Sequence, residues 1–382
     1  MQTLDRQQDV LTLGFKLRVL NWGLVLLLAI IAGTGTMLLY SAAGGDWAPW
    51  AARHAVRFAV LSGVMIVLAL IDIRFYWQWS YVAYGASLVL LVAVEFMGTV
   101  GMGAQRWINV GVIVLQPSEL TKITLVLAVA RYFHGLTYEQ VGRPLALIIP
   151  LLMVAAPVTL VLLQPNLGTA LLLALGAGAV FLLAGVRFWK FVLVAAGGLS
   201  AIPLAWSFLH DYQKNRVLTF LDPSRDPLGA GYNIMQSQIA FGSGGYFGNG
   251  FVQGSQSQLR FLPEKETDFI FTVLGEEFGL IGTLALLGLF TLVLAYGAII
   301  AVFAQSQYAR LVAGGLTMSL FLYIFVNVAM VTGLIPVVGI PLPLVSNGGT
   351  AMLTVLSAAG ILLSVSIHRD IRIPRVPDDV YS

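Results

Sequence analysis

The stretch PLALIIPLLMVAAPVTLVLLQPNLGTALLLALGAGAVFLLAGV (144–186) contains no Asp, Glu, Lys or Arg. About 20 consecutive apolar residues cross a bilayer as a helix, so this stretch is long enough for two crossings with a tight turn between them. Further charge-free apolar stretches cover residues 20–45, 58–71 and 278–308. The sequence therefore predicts an all-α polytopic membrane protein.

The composition of the whole chain agrees with this class. Of the 382 residues, 58% are hydrophobic and 10% are charged, whereas soluble globular proteins carry about 25% charged residues. There is no cysteine, which excludes a disulfide framework and a thiolate site. The net charge is +3 and the basic residues are scattered, so the sequence gives no support to nucleic-acid binding.

The apolar stretches predict about ten transmembrane helices in one membrane domain, residues 19–368. The predicted spans are 19–41, 55–72, 76–98, 118–133, 145–164, 167–185, 188–208, 269–302, 309–333 and 348–368. Residues 209–268 form a large extracytoplasmic loop between the seventh and eighth spans. The segments 1–18 and 369–382 form cytoplasmic tails. The eighth span is longer than one crossing needs, so we expect it to tilt or to project beyond the membrane.

The basic residues predict the orientation of these spans. An even number of spans places both termini on one side, and 12 of the 21 Lys and Arg residues lie there, in short segments. This distribution satisfies the positive-inside rule and predicts cytoplasmic termini. The outer side then carries the loop 99–117, the turn 164–169, the loop 209–268 and the proline-rich run 334–347. Long loops are usually functional, so we expect the active face to be external.

Two charged residues stand at the start of the predicted fourth span. Glu119 and Lys122 are three residues apart and share one helical face. Ionisable residues in membrane spans usually mark a site or a pathway, although a carboxylate in the first turn also complements the helix dipole. Just upstream, Arg106 adds a cation beside Trp107, a pair that is also a common anchor at the headgroup level.

Acidic and basic residues alternate from Glu264 to Asp268, directly before the eighth span. Asp268 could cap that helix by accepting backbone N–H bonds, or it could be a reactive carboxylate at the mouth of a site. The glycine cluster at 242–254 matches no phosphate-binding motif. The four scattered histidines give little support to a metal site, and the absence of a Gly-x-Ser-x-Gly motif disfavours a serine hydrolase.

Five blocks of the sequence resemble the family of shape, elongation, division and sporulation proteins. In chain order they are GTVGMGAQRWI (98–108), QPSELTK (116–122), QPNLGT (164–169), QSQLRFLPEKETDFIF (256–271) and GLIPVVGIPLPLVSNGGT (333–350). The fourth block most resembles the elongation member of the family. The resemblance implies a ten-helix peptidoglycan glycosyltransferase that polymerises lipid II outside the cytoplasmic (inner) membrane. Its implied partners are a class B penicillin-binding protein, which is a single-span transpeptidase, and other membrane proteins of the elongation complex.

The resemblance also assigns site residues. The aspartate of the family's Thr-Asp-Phe string is its essential carboxylate, which corresponds to Asp268 here. We predict substrate-binding roles for Arg106, Glu119, Lys122, Arg216, Gln238, Glu264 and Ser346. Three positions depart from the family pattern, since Asn166, Asn249 and Asn347 stand where the family usually has Asp, Lys and Tyr.

The reaction predicts a role for several of these residues. A sugar hydroxyl is a poor nucleophile, so a carboxylate should accept its proton. We predict that Asp268 is this base, acting on the acceptor 4-hydroxyl with inversion at the donor anomeric carbon. Cations should meet the departing diphosphate; the candidates are Arg106, Lys122 and Arg216, and a divalent metal such as Mg²⁺ or Mn²⁺ could assist them. Glu119 would then hold Lys122 in place.

Two other functions are compatible with many of these observations. A transporter or flippase of lipid-linked precursors would also have about ten helices and intramembrane charges, but it needs charge near the midplane with access from both sides. A non-catalytic scaffold for the penicillin-binding protein would not need the Asp268 carboxylate.

Overall fold

A computed structural model describes residues 12–101, 104–109, 114–208, 211–222, 230–259, 261–262 and 264–374. The described chain is predominantly helical, with three short strands. The helices are α1 (Leu13–Val19), α2 (Trp22–Ala42), α3 (Ala51–Leu70), α4 (Ile73–Met97), α5 (Pro117–His134), α6 (Tyr138–Val141), α7 (Ile148–Leu163), α8 (Leu167–Leu183), α9 (Phe188–Phe208), α10 (Asp211–Leu221), α11 (Ala230–Gly244), α12 (Ser255–Gln258), α13 (Ile270–Phe303), α14 (Gln307–Val331) and α15 (Gly349–Ile367). The strands are β1 (Thr99–Gly101), β2 (Ala104–Asn109) and β3 (Val114–Leu115).

Each of the ten predicted spans coincides with one long helix, namely α2, α3, α4, α5, α7, α8, α9, α13, α14 and α15. In the described chain, seven helices are long and apolar enough to cross a membrane. The other three are α5, which carries Glu119, Lys122 and Arg131, and the shorter apolar stretches of α8 and α9. The all-α polytopic class is confirmed, while the count of ten crossings stays a prediction.

Helix α14 lies at the centre of the bundle and packs against α5, α8, α13 and α15. Small residues let the helices approach closely at these crossings. A Cβ added at Gly315 would lie 2.8 Å from the Cγ1 atom of Val126 on α5, and one added at Gly176 on α8 would lie 2.9 Å from the Oγ atom of Ser319. Such close crossings are typical of membrane helices, where packing rather than water drives association.

Two segments that were predicted as loops contain regular structure. Strands β1, β2 and β3 form an antiparallel sheet in order β1-β2-β3 within the segment 99–117. The segment 209–268 contains α10, α11 and α12. Helix α11 is fixed between α13 and α14, because the Oγ atom of Ser237 donates to the carbonyl of Val331 at 2.7 Å and lies 2.7 Å from the hydroxyl of Thr272. The structure thus attaches much of this segment to the helical bundle.

The length of α13 has a structural explanation. The helix is interrupted at Gly279, whose φ is 62° and ψ is −158°. The glycine-rich segment 244–254 packs against α13 on both sides of this break. A Cβ at Gly248 would lie only 2.1 Å from the carbonyl oxygen of Glu277. Two backbone hydrogen bonds stabilise this contact, from Asn249 N to Glu276 O at 3.0 Å and from Leu280 N to the carbonyl of residue 245 at 2.9 Å. The glycine cluster therefore provides close backbone packing around α13.

Candidate functional site

Asp268 lies in a turn, residues 264–269, that directly precedes α13, and its side chain is partly exposed. The backbone N–H groups of Thr267 and Phe269 close this turn by donating to the carbonyl of Glu264 at 3.1 and 3.2 Å. The N-cap residue of α13 is Phe269, whose side chain makes no cap hydrogen bond. The interpretation of Asp268 as the N-cap is therefore wrong, because the turn places Asp268 one residue too early.

The Asp268 carboxylate packs against the backbone of the proline-rich segment, residues 334–347. Gly339 in this segment has φ +72°, and a Cβ there would lie 3.3 Å from the Oδ2 atom of Asp268. A second contact comes from α14, where the Nδ2 atom of Asn327 donates to the carbonyl of Asp268 at 2.9 Å and to that of Ile340 at 2.7 Å. Asp268 is thus held between α14 and an irregular segment whose prolines disfavour a helix.

Arg106 is held on the turn between α7 and α8. Its Nε atom donates to the carbonyl of Gln164 at 3.1 Å, and its Nη2 atom donates to the carbonyl of Pro165. The same turn packs on the proline-rich segment, because a Cβ at Gly168 would lie 3.1 Å from the carbonyl oxygen of Val338. The turn that binds Arg106 therefore contacts the proline-rich segment at Val338, and the Asp268 carboxylate contacts it at the next residue, Gly339.

Glu119 and Lys122 form a buried ion pair on α5. The Nζ atom of Lys122 lies 2.6 Å from the Oε1 atom of Glu119, and both residues are 6% exposed. The hydroxyl of Tyr323 on α14 donates to Glu119 and accepts from Lys122, whose ammonium also lies 4.1 Å from the centroid of the Tyr323 ring. A buried charge is stable only when it is paired and hydrogen-bonded in this way.

This cluster borders a largely apolar cavity between α2, α5, α13, α14 and α15. Lys122 and Tyr323 contribute to its wall, together with apolar side chains such as Leu28 and Val293. The structure therefore brings Glu119 and Lys122 together, as their spacing predicts, but it places them inside the bundle. A direct contact of Lys122 with substrate stays a prediction.

The remaining candidate residues lie at several places. Gln238 is exposed on α11, and Glu264 is exposed with its Oε2 atom accepting from the Thr267 hydroxyl at 2.8 Å. Ser346 is buried, and its Oγ atom accepts from Leu342 N at 2.8 Å within the proline-rich segment. Arg216 belongs to α10, but its side chain lies outside the described residues. Of these four residues, Glu264 shares the turn of Asp268.

The three asparagines that depart from the family pattern each make a hydrogen bond. The Oδ1 atom of Asn166 accepts from Thr169 N at 3.4 Å and caps α8, a role that needs an acceptor but no charge. The Asn249 amide donates to the Ser243 hydroxyl at 3.4 Å. The Oδ1 atom of Asn347 accepts from Arg57 at 3.1 Å. The asparagines therefore support local structure at these positions.

A metal cage is not apparent among the described residues, since no three His, Cys, Asp or Glu side chains come together there.

Tyr323, Asn327 and Gly339 were not predicted from the sequence. Tyr323 and Asn327 are polar residues four positions apart in the apolar C-terminal half of α14, so they share one face of this helix. That spacing was a usable signal, because buried polar groups in membrane helices usually face the bundle interior. The contact of Gly339 with Asp268 depends on the path of an irregular segment and left no such pattern.

The chain matches the family described as cell cycle protein, FtsW/RodA/SpoVE, over residues 16–371. The peptidoglycan glycosyltransferase MrdB of Escherichia coli is 45% identical over 353 residues, which cover 91% of this chain and 93% of the relative. One solved structure is described as the structural coordination of polymerization and crosslinking by a peptidoglycan synthase complex. Its matching chain has a TM-score of 0.78 and 34% identity, with 92% of this chain and 98% of that chain covered. The rod shape determining protein RodA of Thermus thermophilus has a TM-score of 0.66 and 31% identity, with coverages of 92% and 97%.

Proposed function

The chain belongs to the FtsW/RodA/SpoVE family of cell cycle proteins, and from this premise we propose that it is a peptidoglycan glycosyltransferase that polymerises lipid II during cell elongation. The main support is the match over residues 16–371, together with the intact Thr-Asp-Phe string at 267–269. The Asp268 carboxylate in this string is partly exposed, and Asp268 is not the N-cap residue of α13. It is therefore suitable for a reaction at the end of the bundle.

Asp268 acts as the general base. Its carboxylate accepts the proton of the acceptor's N-acetylglucosamine 4-hydroxyl while the oxygen attacks the donor's anomeric carbon with inversion. The carboxylate packs on one side against the backbone at Gly339, and the backbone carbonyl of Asp268 accepts a hydrogen bond from Asn327. These contacts restrict its movement, and a restricted base loses less freedom when the reacting atoms approach.

The leaving lipid diphosphate gathers negative charge and needs cations. Arg106 suits this role because its guanidinium is held on the turn that contacts the proline-rich segment beside Asp268. Lys122 is already neutralised by Glu119, so it contributes to the local potential and to the shape of the bundle unless the pair opens. We assign Arg216 and Gln238 to substrate binding on the family resemblance, and we propose the same role for Glu264 and Ser346.

The protein is a multi-pass protein of the bacterial inner membrane, and we assign its termini to the cytoplasm and its active site to the periplasmic face. The positive-inside distribution of Lys and Arg supports this orientation. A class B penicillin-binding protein is the proposed partner, supported by the similarity to a chain of the peptidoglycan synthase complex. Other elongation-complex membrane proteins and membrane lipid complete its surroundings.

The test is the formation of glycan strands from lipid II by the purified, detergent-solubilised protein, alone and with its transpeptidase partner. An enzyme makes strands without a membrane, whereas a flippase has no compartments to connect and makes no product. A partner preparation without this chain is the control for contaminating polymerase. If strands depend on the partner alone, the chain is a scaffold and the proposed function is contradicted.

A further inference from the structure

One buried side chain joins the backbone of Asp268 to the backbone of the proline-rich segment. Asn327 on α14 is fully buried, at 0% exposure. Its amide nitrogen donates to the carbonyl of Asp268 at 2.9 Å and to that of Ile340 at 2.7 Å. Carbonyl oxygens only accept hydrogen bonds, so the amide must direct its nitrogen toward both of them. The two N–H groups of this one side chain are therefore both used.

The other end of the same amide is unusual. In the part of the chain that the structure describes, the Oδ1 atom of Asn327 is buried without a hydrogen-bond partner. Burying an acceptor in this way costs free energy, and a native structure seldom retains such a group without compensation. The two hydrogen bonds of the Asn327 Nδ2 atom offset this cost, and they join the turn of Asp268 to the proline-rich segment.

We propose that Asn327 is a positioning residue for glycan polymerisation, which fixes the Asp268 carboxylate relative to the turn that holds Arg106. This inference rests on the proposed function. Asn327 binds Ile340, while the two preceding residues of the segment contact Asp268 and the turn 164–169. One amide thus sets the spacing between the base and the surface that carries the guanidinium.

Other side chains at position 327 would not reproduce this geometry. Leucine has a similar shape but no donor, so it would leave the carbonyls of Asp268 and Ile340 without this partner. Aspartate would direct oxygen atoms at two carbonyl oxygens. Alanine would leave a gap into which the turn of Asp268 could relax. In each case the position of the carboxylate is less restricted, and misplacement by about 1 Å can lower turnover about a hundredfold.

The test compares Asn327→Leu and Asn327→Ala with the wild-type chain, each purified with the transpeptidase partner and assayed on lipid II. We expect kcat to fall about tenfold to a hundredfold while KM stays within about threefold, because alignment is lost and binding is kept. Alanine cannot clash, so it keeps the test valid if the leucine variant fails to fold. The matched control is Thr317→Val, which removes a hydroxyl on the same helix that donates only to the Ala313 carbonyl.

Each outcome decides between the alternatives. A wild-type kcat in a folded Asn327→Ala protein overturns the inference. An equal loss of kcat in Thr317→Val also overturns it, as does a rise in the KM of the Asn327 variants with unchanged kcat. Asp268→Asn is measured in parallel. If Asp268→Asn is inactive and the Asn327 variants are fully active, the positioning role fails alone. If Asp268→Asn keeps wild-type turnover, the proposed role of Asp268 fails and the positioning role fails with it.

Discussion

Replacing Lys122 by Met removes the positive charge from the buried pair on α5 and leaves Glu119 with the Tyr323 hydroxyl as its remaining partner in that cluster. Breaking a buried pair by removing one partner costs about 3–5 kcal/mol. Both residues are 6% exposed, so solvent cannot screen the remaining carboxylate, and we expect a loss of stability in this range. The free energy of unfolding in detergent, from denaturant titration, measures it.

The double variant Glu119→Leu/Lys122→Met is the matched control. Replacing a whole buried pair by apolar residues is often neutral or stabilising by about 1–4 kcal/mol, but here the Tyr323 hydroxyl loses both partners at a cost of about 1–3 kcal/mol. These two contributions nearly cancel, so the double variant should be almost as stable as the wild type. A Lys122→Met protein of wild-type stability, or a double variant as unstable as the two single changes added together, would refute the reasoning.

Three further predictions concern Gly339, Arg106 and the contact between α13 and α12. Gly339→Ala should lower kcat and reduce the free energy of unfolding by about 1–2 kcal/mol, because alanine disfavours φ +72° and its Cβ would press on the Asp268 carboxylate. Unchanged turnover and stability would contradict the observed packing. Arg106→Lys should reduce polymerisation about tenfold or more, because one ammonium cannot replace a two-pronged guanidinium on the turn 164–165; full activity would show that this geometry is unnecessary. Glu276→Gln should make the turn at α12 more susceptible to limited proteolysis, because the Glu276 carboxylate accepts hydrogen bonds from two backbone N–H groups there. An unchanged digestion pattern would argue against this contact.

The helices could be predicted from the sequence because each predicted span depends on a local property, an apolar stretch of sufficient length. The long span at 269–302 illustrates the limit of that reasoning. Its excess length was visible, but the break at Gly279 and the wrapping by residues 244–254 depend on contacts between distant backbones. The structured parts of 209–268 were missed for a similar reason, because α11 is held by hydrogen bonds to α13 and α14.

The site was predictable where a residue type alone suggests chemistry. Asp268, Glu119 and Lys122 are charged residues next to apolar spans, and the family match confirms the resemblance from which Asp268 was chosen. Their roles stay predictions. Asn327 has no charge, and its importance depends on two carbonyls that come from segments far away in the sequence. Only the three-dimensional path of the chain could bring these groups together.

The central claim is that one carboxylate removes the proton of the attacking hydroxyl. The direct measurement is the rate of lipid II polymerisation by Asp268→Asn, with lipid II affinity and partner binding measured on the same preparation. Because general-base catalysis contributes about 10²–10⁴-fold, we expect the rate to fall by that factor while both binding constants stay near wild type. Glycan strands made at the wild-type rate by the Asp268→Asn protein would contradict the account.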